Sequence, residues 1–155
     1  MKHFPFFCVA IVLCGCTCSK SPRDKLVAAS SEETVRRFVG LSANAKETRD
    51  RKELLGMCTG ELRRTFERMS DEAFQIIYLE SKLTILDFKV LEKEEKEASS
   101  RLTYEVSVDN QQGTSPTVET NQREVQLTQV DGQWYLKEIH VKGTDQVAFT
   151  RGMIF

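Results

Sequence analysis

The chain has 155 residues, a formal net charge of −1, 40% hydrophobic residues and 29% charged ones. That is one domain's worth of chain, long enough to bury a core. Its 22 basic and 23 acidic side chains form no basic face beyond doublets such as Arg36-Arg37 and Arg63-Arg64, which argues against a nucleic-acid partner.

Met1-Lys2-His3 is a short positive start, and the 12 residues from Phe4 to Gly15 (FPFFCVAIVLCG) carry no charge. As a helix such a run would span roughly 18 Å, well short of the ~30 Å hydrocarbon core. It has the length of the apolar region of a secretory signal peptide, about 7–15 residues. Three of the five cysteines then crowd into IVLCGCTCSK, residues 11–20. A zinc site built from Cys14, Cys16 and Cys18 would have C-x-C-x-C spacing, whereas structural zinc sites use C-x₂₋₄-C pairs with a distant second pair. The stretch Leu13-Cys14-Gly15-Cys16 instead resembles the bacterial lipoprotein box: an aliphatic residue at −3, small residues at −2 and −1, then an obligatory cysteine. Cys14 departs mildly from the usual Ala or Ser. Cys18 fits less well, because Gly15 would stand at its −3 position.

The resemblance implies cleavage before Cys16 and a diacylglyceryl thioether on its thiol. Two or three acyl chains would anchor the protein firmly, since each buried methylene contributes ~0.8 kcal/mol. In diderm lipoproteins Asp after the cysteine commonly retains the protein in the inner membrane. Thr17 stands there, so the resemblance implies a periplasm-facing outer-membrane protein. Residues 1–15 are then the signal and 16–30 a lipidated tether, and the 140 residues from Cys16 carry a net charge of −2 once Lys2 is removed. Two thiols remain in an oxidising envelope, Cys18 and Cys58. Cys58 lies among Leu54, Leu55 and Met57 and reads either as a buried small hydrophobe or as the disulfide partner of Cys18.

The domain is expected over residues 31–143, followed by a C-terminal tail, 144–155. Ser30 with Glu33 three positions on is a capping box, and Val35, Phe38 and Val39 form an apolar stripe behind it. Gly40 weakens this helix, and Ser42 to Asp50 reads as loop or frayed helix. Arg51 to Cys58 is a short second helix. Glu61 to Met69 is a third, with Leu62, Phe66 and Met69 on one face. Ser70 caps a fourth that buries Phe74, Ile77 and Tyr78. The period then changes to two. Leu86, Phe88 and Val90 alternate with Asp87 and Lys89, and Leu102, Tyr104, Val106 and Val108 alternate with polar residues, predicting two half-buried strands. The charge run Glu92 to Glu97 reads as the solvated tip between them. Asn110 to Pro116 is a longer loop.

Asp131-Gly132 is a type I′ hairpin signal between two extended runs. A regular register would pair Val130 with Gln133, Leu127 with Leu136 and Arg123 with His140. Arg123, Glu138 and His140 would then share the face of Trp134 and form a polar cluster at the end of an apolar concavity, a candidate ligand pocket. A bulge after Leu136 would swap the faces. Ile139 and Val141 would enter the core, gaining roughly 3–6 kcal/mol, and Glu138 and His140 would face water. Burying Arg123 and Glu138 without ideal pairing would cost several kcal/mol, which favours the bulge.

Short helices followed by four mostly antiparallel strands ending in VDGQWYLKEIHV resemble the nuclear-transport-factor-2-like superfamily, over about residues 31–143. The resemblance implies an α+β fold: N-terminal short helices packed on a bent four-stranded sheet, cone-shaped and similar to cystatin-like sheets. It carries no catalytic motif. His140 is the one histidine after the signal, no H-E-x-x-H or paired C-x-x-C is present, and no Gly-rich phosphate loop implies a cofactor. The expectation is a lipid-anchored, non-catalytic module binding an envelope protein or a small apolar ligand. The alternative is a small isomerase or hydratase using a carboxylate or His140 as general base. A third reading is an assembly subunit, paired through the open sheet face or through Val147 to Phe155.

Overall fold

The structure, a computed structural model, describes residues 29–80, 83–111, 117–148 and 154–155. The expected signal segment 1–15, Cys16, Cys18 and nearly all of the expected tether lie outside the described residues, as do 112–116 of the expected loop.

Helix α1 (Ser31–Asn44) opens on the expected capping box. The Glu33 amide donates to Ser30 Oγ at 3.1 Å, and the Ser30 amide donates to Glu33 Oε2 at 2.9 Å. Two N-terminal amides that no helical carbonyl can reach are thereby satisfied. The helix runs through Gly40 to Asn44, past the loop start expected at Ser42, because burial of Val35, Phe38 and Val39 outweighs one glycine. Helices α2 (Asp50–Gly56) and α3 (Gly60–Arg68) follow, burying Leu54, Leu62 and Phe66. Helix α4 (Asp71–Phe74) is capped by Ser70, whose hydroxyl accepts from the Ala73 amide at 3.1 Å. It continues into a π-helical turn, Gln75–Leu79. Phe74 and Tyr78 stack there at 4.7 Å, and Tyr78 leans on Phe66 at 5.7 Å.

Strands β1 (Leu83–Lys96), β2 (Ser99–Asn110), β3 (Thr117–Val130) and β4 (Gln133–Val141) form one antiparallel sheet in the order β1-β2-β3-β4. The fold is α+β, with four short helices against one face of a curved, open sheet, as expected. The inner face carries Leu102, Tyr104, Val106, Val108, Val125 and Leu127, all within 2% of complete burial.

Three details differ from the expectation. The charge run is strand, not hairpin tip: Glu94, Glu95 and Lys96 pair with Arg101, Ser100 and Ser99, and the turn is Glu97-Ala98. Charged side chains suit this outermost strand because they remain in water while the backbone pairs. Strand β1 also has register shifts at Leu86 and Leu91. Leu86 therefore leaves the face of Phe88 and Val90 and is 55% exposed. The core, finally, is not confined to 31–143: Ala148, Ile154 and Phe155 are all at least 99% buried and belong to it. The expected tail, 144–155, thus contributes at least these three side chains to the core. Side chains the size of Ile154 and Phe155 gain roughly 1.5–3 kcal/mol each by leaving water.

Strand β4, the last of the sheet, has its outer edge covered at two places. The Leu136 amide donates to the Met57 carbonyl at 2.9 Å, and the Thr59 amide donates to the Leu136 carbonyl at 2.8 Å. Further on, the Ala148 amide donates to the Ile139 carbonyl at 2.7 Å and the Val141 amide to the Gln146 carbonyl at 3.1 Å.

Candidate functional site

The Asp131-Gly132 turn has φ of 50° and 80°, the positive pair that a type I′ turn requires. Val130 faces Gln133 and Leu127 faces Leu136, as the two-residue loop dictates. The register then shifts at Lys137. Gln126 faces Glu138, Val125 faces Ile139, Glu124 faces His140 and Arg123 faces Val141. The bulged arrangement is the one present, and it divides the four candidate pocket residues between two faces.

Arg123 and Trp134 lie on the inner face, 6% and 8% exposed. Glu138 and His140 lie on the outer face, half-buried, with His140 Nε2 3.2 Å from Glu138 Oε2. The cluster of the regular register is therefore not formed. Ile139 is fully buried, as the bulge requires. Val141 is only half-buried, because β4 ends there and the chain turns away through Lys142 and Gly143, where φ is +77°.

Arg123 is a correction of a different kind, since burying it was expected to be too costly. The structure lowers that cost by supplying main-chain oxygens. One guanidinium nitrogen donates to the Gln122 carbonyl at 3.0 Å, and the other donates to the Phe155 main-chain oxygen. Hydrogen bonds to a charged group contribute about 1.5–3 kcal/mol each, enough to offset much of the desolvation. Tyr104, the cross-strand neighbour of Arg123, donates its hydroxyl to the Ile154 carbonyl at 2.7 Å. Burial pushes the Tyr104 hydroxyl well above its ordinary pKa and holds the Arg123 guanidinium below its own, because each charged form is disfavoured out of water. The inner face thus holds two buried donors, both engaged by Ile154 and Phe155. Sequence reasoning placed Tyr104 in the core but missed this pairing. The available signal was the apolar Met153-Ile154-Phe155 run, the end of the Val147 to Phe155 stretch that the sequence offers as a pairing surface rather than as core.

Cys58 is a free thiol, 1% exposed, and its Sγ lies 3.1 Å from the Leu54 carbonyl oxygen. Desolvation pushes its pKa far up, so the thiol is neutral and shielded. That environment suits a buried small hydrophobe, and Cys18, the other half of the possible disulfide, lies outside the described residues.

The outer face is polar. Gln122 donates to Glu105 Oε2 at 2.9 Å, Arg101 pairs with Glu124 at 3.2 Å, and Lys142 reaches Glu92 at 3.9 Å. An open depression of about 220 Å³ near the β1–β2 turn is lined by Glu94, Lys96, Arg101 and Gln126 together with Ser99, Ser100 and Leu127. Among the described residues, no group of three or more His, Cys, Asp or Glu could hold a metal ion. No described helix is long and apolar enough to cross a membrane.

No family model matches the chain, and no curated protein matches it. Solved structures do resemble it. A SEC-C-motif-containing protein from Rhodopseudomonas palustris, solved in solution, superposes with a TM-score of 0.53 at 20% identity, over 72% of this chain and 78% of that one. The intermembrane-space region of the chloroplast protein ARC6 gives 0.49 at 16% identity, over 71% and 92% of the two chains. A cystatin-like-fold protein of unknown function from Nostoc punctiforme gives 0.47 at 12% identity, over 77% and 92%. At such identities the likeness is one of fold. The domain is an α+β layer structure, short helices against one open antiparallel sheet. Fold of this kind hosts many activities and fixes none of them.

Proposed function

We propose that the protein is a lipid-anchored cell-envelope module that binds a ligand or a protein partner without catalysing a reaction. The observation that carries the non-catalytic part is the division of the candidate cluster by the Lys137 bulge. An enzyme of this architecture would need a carboxylate or histidine inside the concave face, aimed at a bound substrate. Here Glu138 and His140 are on the other face, and the side chains that the bulge leaves on the inner one are Arg123 and Trp134. The anchoring part rests on Leu13-Cys14-Gly15-Cys16 after an uncharged run, and Thr17 favours the outer membrane of a diderm cell.

Metabolic labelling with radioactive palmitate tests the reading. The parent chain should incorporate label and fractionate with outer-membrane markers. Cys16→Ser should accumulate as unlabelled precursor, while Cys18→Ser should mature normally. Label on the Cys16→Ser protein, or a parent chain recovered free of membrane, would overturn it.

A further inference from the structure

The segment ending in Ile154-Phe155 is more than filler, because of what it touches. Tyr104 and Arg123 are directly opposed on β2 and β3, so both side chains project from one spot on the inner face. Around them the sheet is apolar: Val106, Val125 and Ile139 are fully buried. Two polar donors at the floor of an apolar concavity are the composition of a small-molecule site. What sits on them combines two apolar side chains with two oxygens, the Ile154 carbonyl at 2.7 Å from the Tyr104 hydroxyl and the Phe155 oxygen on the Arg123 guanidinium. Ile154 and Phe155 satisfy the site as an apolar molecule with an oxygen-bearing head would.

We infer that the inner face at Tyr104 and Arg123 is a binding site for an apolar carboxylate, and that Ile154-Phe155 occupies it as a displaceable internal ligand. A carboxylate is the head group of choice because a buried guanidinium takes two oxygens at once, and a charged acceptor bonds roughly twice as strongly as a neutral carbonyl. The Tyr104 hydroxyl supplies a further donor to the same head. A hydrocarbon tail would replace the side chains of Ile154 and Phe155 against the sheet. Binding is then competitive with the chain's own segment, and apparent affinity falls by the fraction of molecules in which the segment is lifted. The inference rests on the ligand-binding reading above. It stands apart from lipid anchoring, which palmitate labelling tests separately.

Calorimetric titration with decanoate tests it on the full chain, beside the same chain ending at Met153 and the full chain carrying Phe155→Ala. Removing the segment should tighten decanoate binding at least tenfold over the parent, and Phe155→Ala should fall between. Arg123→Met in the shortened chain should abolish the gain, and decanol, with no charge, should bind at least tenfold more weakly than decanoate. A peptide of residues 150–155 (TRGMIF) should compete with decanoate. Equal binding by parent and shortened chain, or binding that ignores Arg123→Met, would overturn the site. If the shortened chain and Phe155→Ala both fail to fold, the segment is structural core, and displacement is refuted.

Discussion

The two outermost strands of the sheet both carry bulges, to opposite ends. On β4 the extra residue is Lys137, and its effect is inward. Trp134 and Leu136 face the core before it, and Ile139 faces the core after it, so the bulge recovers an apolar residue that a regular strand would turn to water. The bulged stretch is then covered: Met57 and Thr59 pair with Leu136 on one side of Lys137, and Ala148 pairs with Ile139 on the other. On β1 the extra residues are Leu86 and Leu91, and their effect is outward. They are 55% and 39% exposed, while Ile85, Phe88 and Val90 keep the inner side. No described strand lies beyond β1, and Arg36 of α1 folds over it, its guanidinium 4.7 Å from the Phe88 ring and donating to the Phe88 carbonyl at 3.4 Å. An edge with bulges and a Glu-Lys run resists strand addition, which is how proteins guard exposed edges. One device therefore completes the core on β4 and protects an edge on β1.

The sharpest way to break the comparison is to shorten the side chains that the bulges sort. Ile139→Ala should lose ~2–5 kcal/mol, the range for emptying a filled core position. Leu86→Ala should stay within about 0.5 kcal/mol of the parent, as surface changes usually do. Chemical denaturation of the two variants measures both. Similar losses would mean that the β1 bulges bury what they are described as exposing.

A finer test concerns what locks the β4 bulge in place. Gly60 opens α3 with φ of +57°, and a Cβ there would lie 2.9 Å from Lys137 Cγ. The glycine lets the α2–α3 connection lie against the bulged residue. Gly60→Ala should cost ~1–2 kcal/mol, mostly from the left-handed backbone, because the Lys137 side chain is flexible enough to yield. Lys137→Ala in the same background would relieve the contact but not the dihedral, so it should restore little. Full restoration by Lys137→Ala would show that crowding, not backbone conformation, makes this position a glycine.

These bulges also mark how far the sequence could be read. The helices were legible because caps and a 3.6-residue stripe are local: Ser30 with Glu33, and Ser70 before Asp71, act within one turn. The Asp131-Gly132 turn and its first two strand pairs were legible for the same reason. The site was less so. In β4 the apolar residues slip from even positions, Trp134 and Leu136, to odd ones, Ile139 and Val141, and that slip is the trace of the bulge. In β1 the phase passes from Leu83 and Ile85 to Phe88 and Val90, and reading Leu86 with the second set lost it. The contact of Ile154 and Phe155 with Tyr104 and Arg123 spans 50 and 32 positions and has no local signature. Long-range closure of that kind is decided by tertiary packing, which periodicity does not encode.

The smallest expected effect falls on the residue that first suggested a site. His140 stands opposite Glu124 and beside Glu138, on the outer side of the sheet, with its side chain 19% exposed. Its partner is the half-buried Glu138 carboxylate at 3.2 Å. Pairs of that sort contribute ~0.2–1 kcal/mol, since water screens the attraction and holding the two side chains costs entropy. His140→Ala should therefore lose less than about 1 kcal/mol, against ~2–5 kcal/mol for its neighbour Ile139. The contrast depends on Lys137 alone, because deleting that one residue would exchange the two side chains between the faces. Thermal melts of His140→Ala and of a Lys137 deletion decide the matter. A near-parental melt for the first and a large loss for the second place the bulge at Lys137. A several-kcal/mol loss in His140→Ala would put the imidazole in the core, return Arg123 and Glu138 to its side, and reopen the concave face to acid–base chemistry.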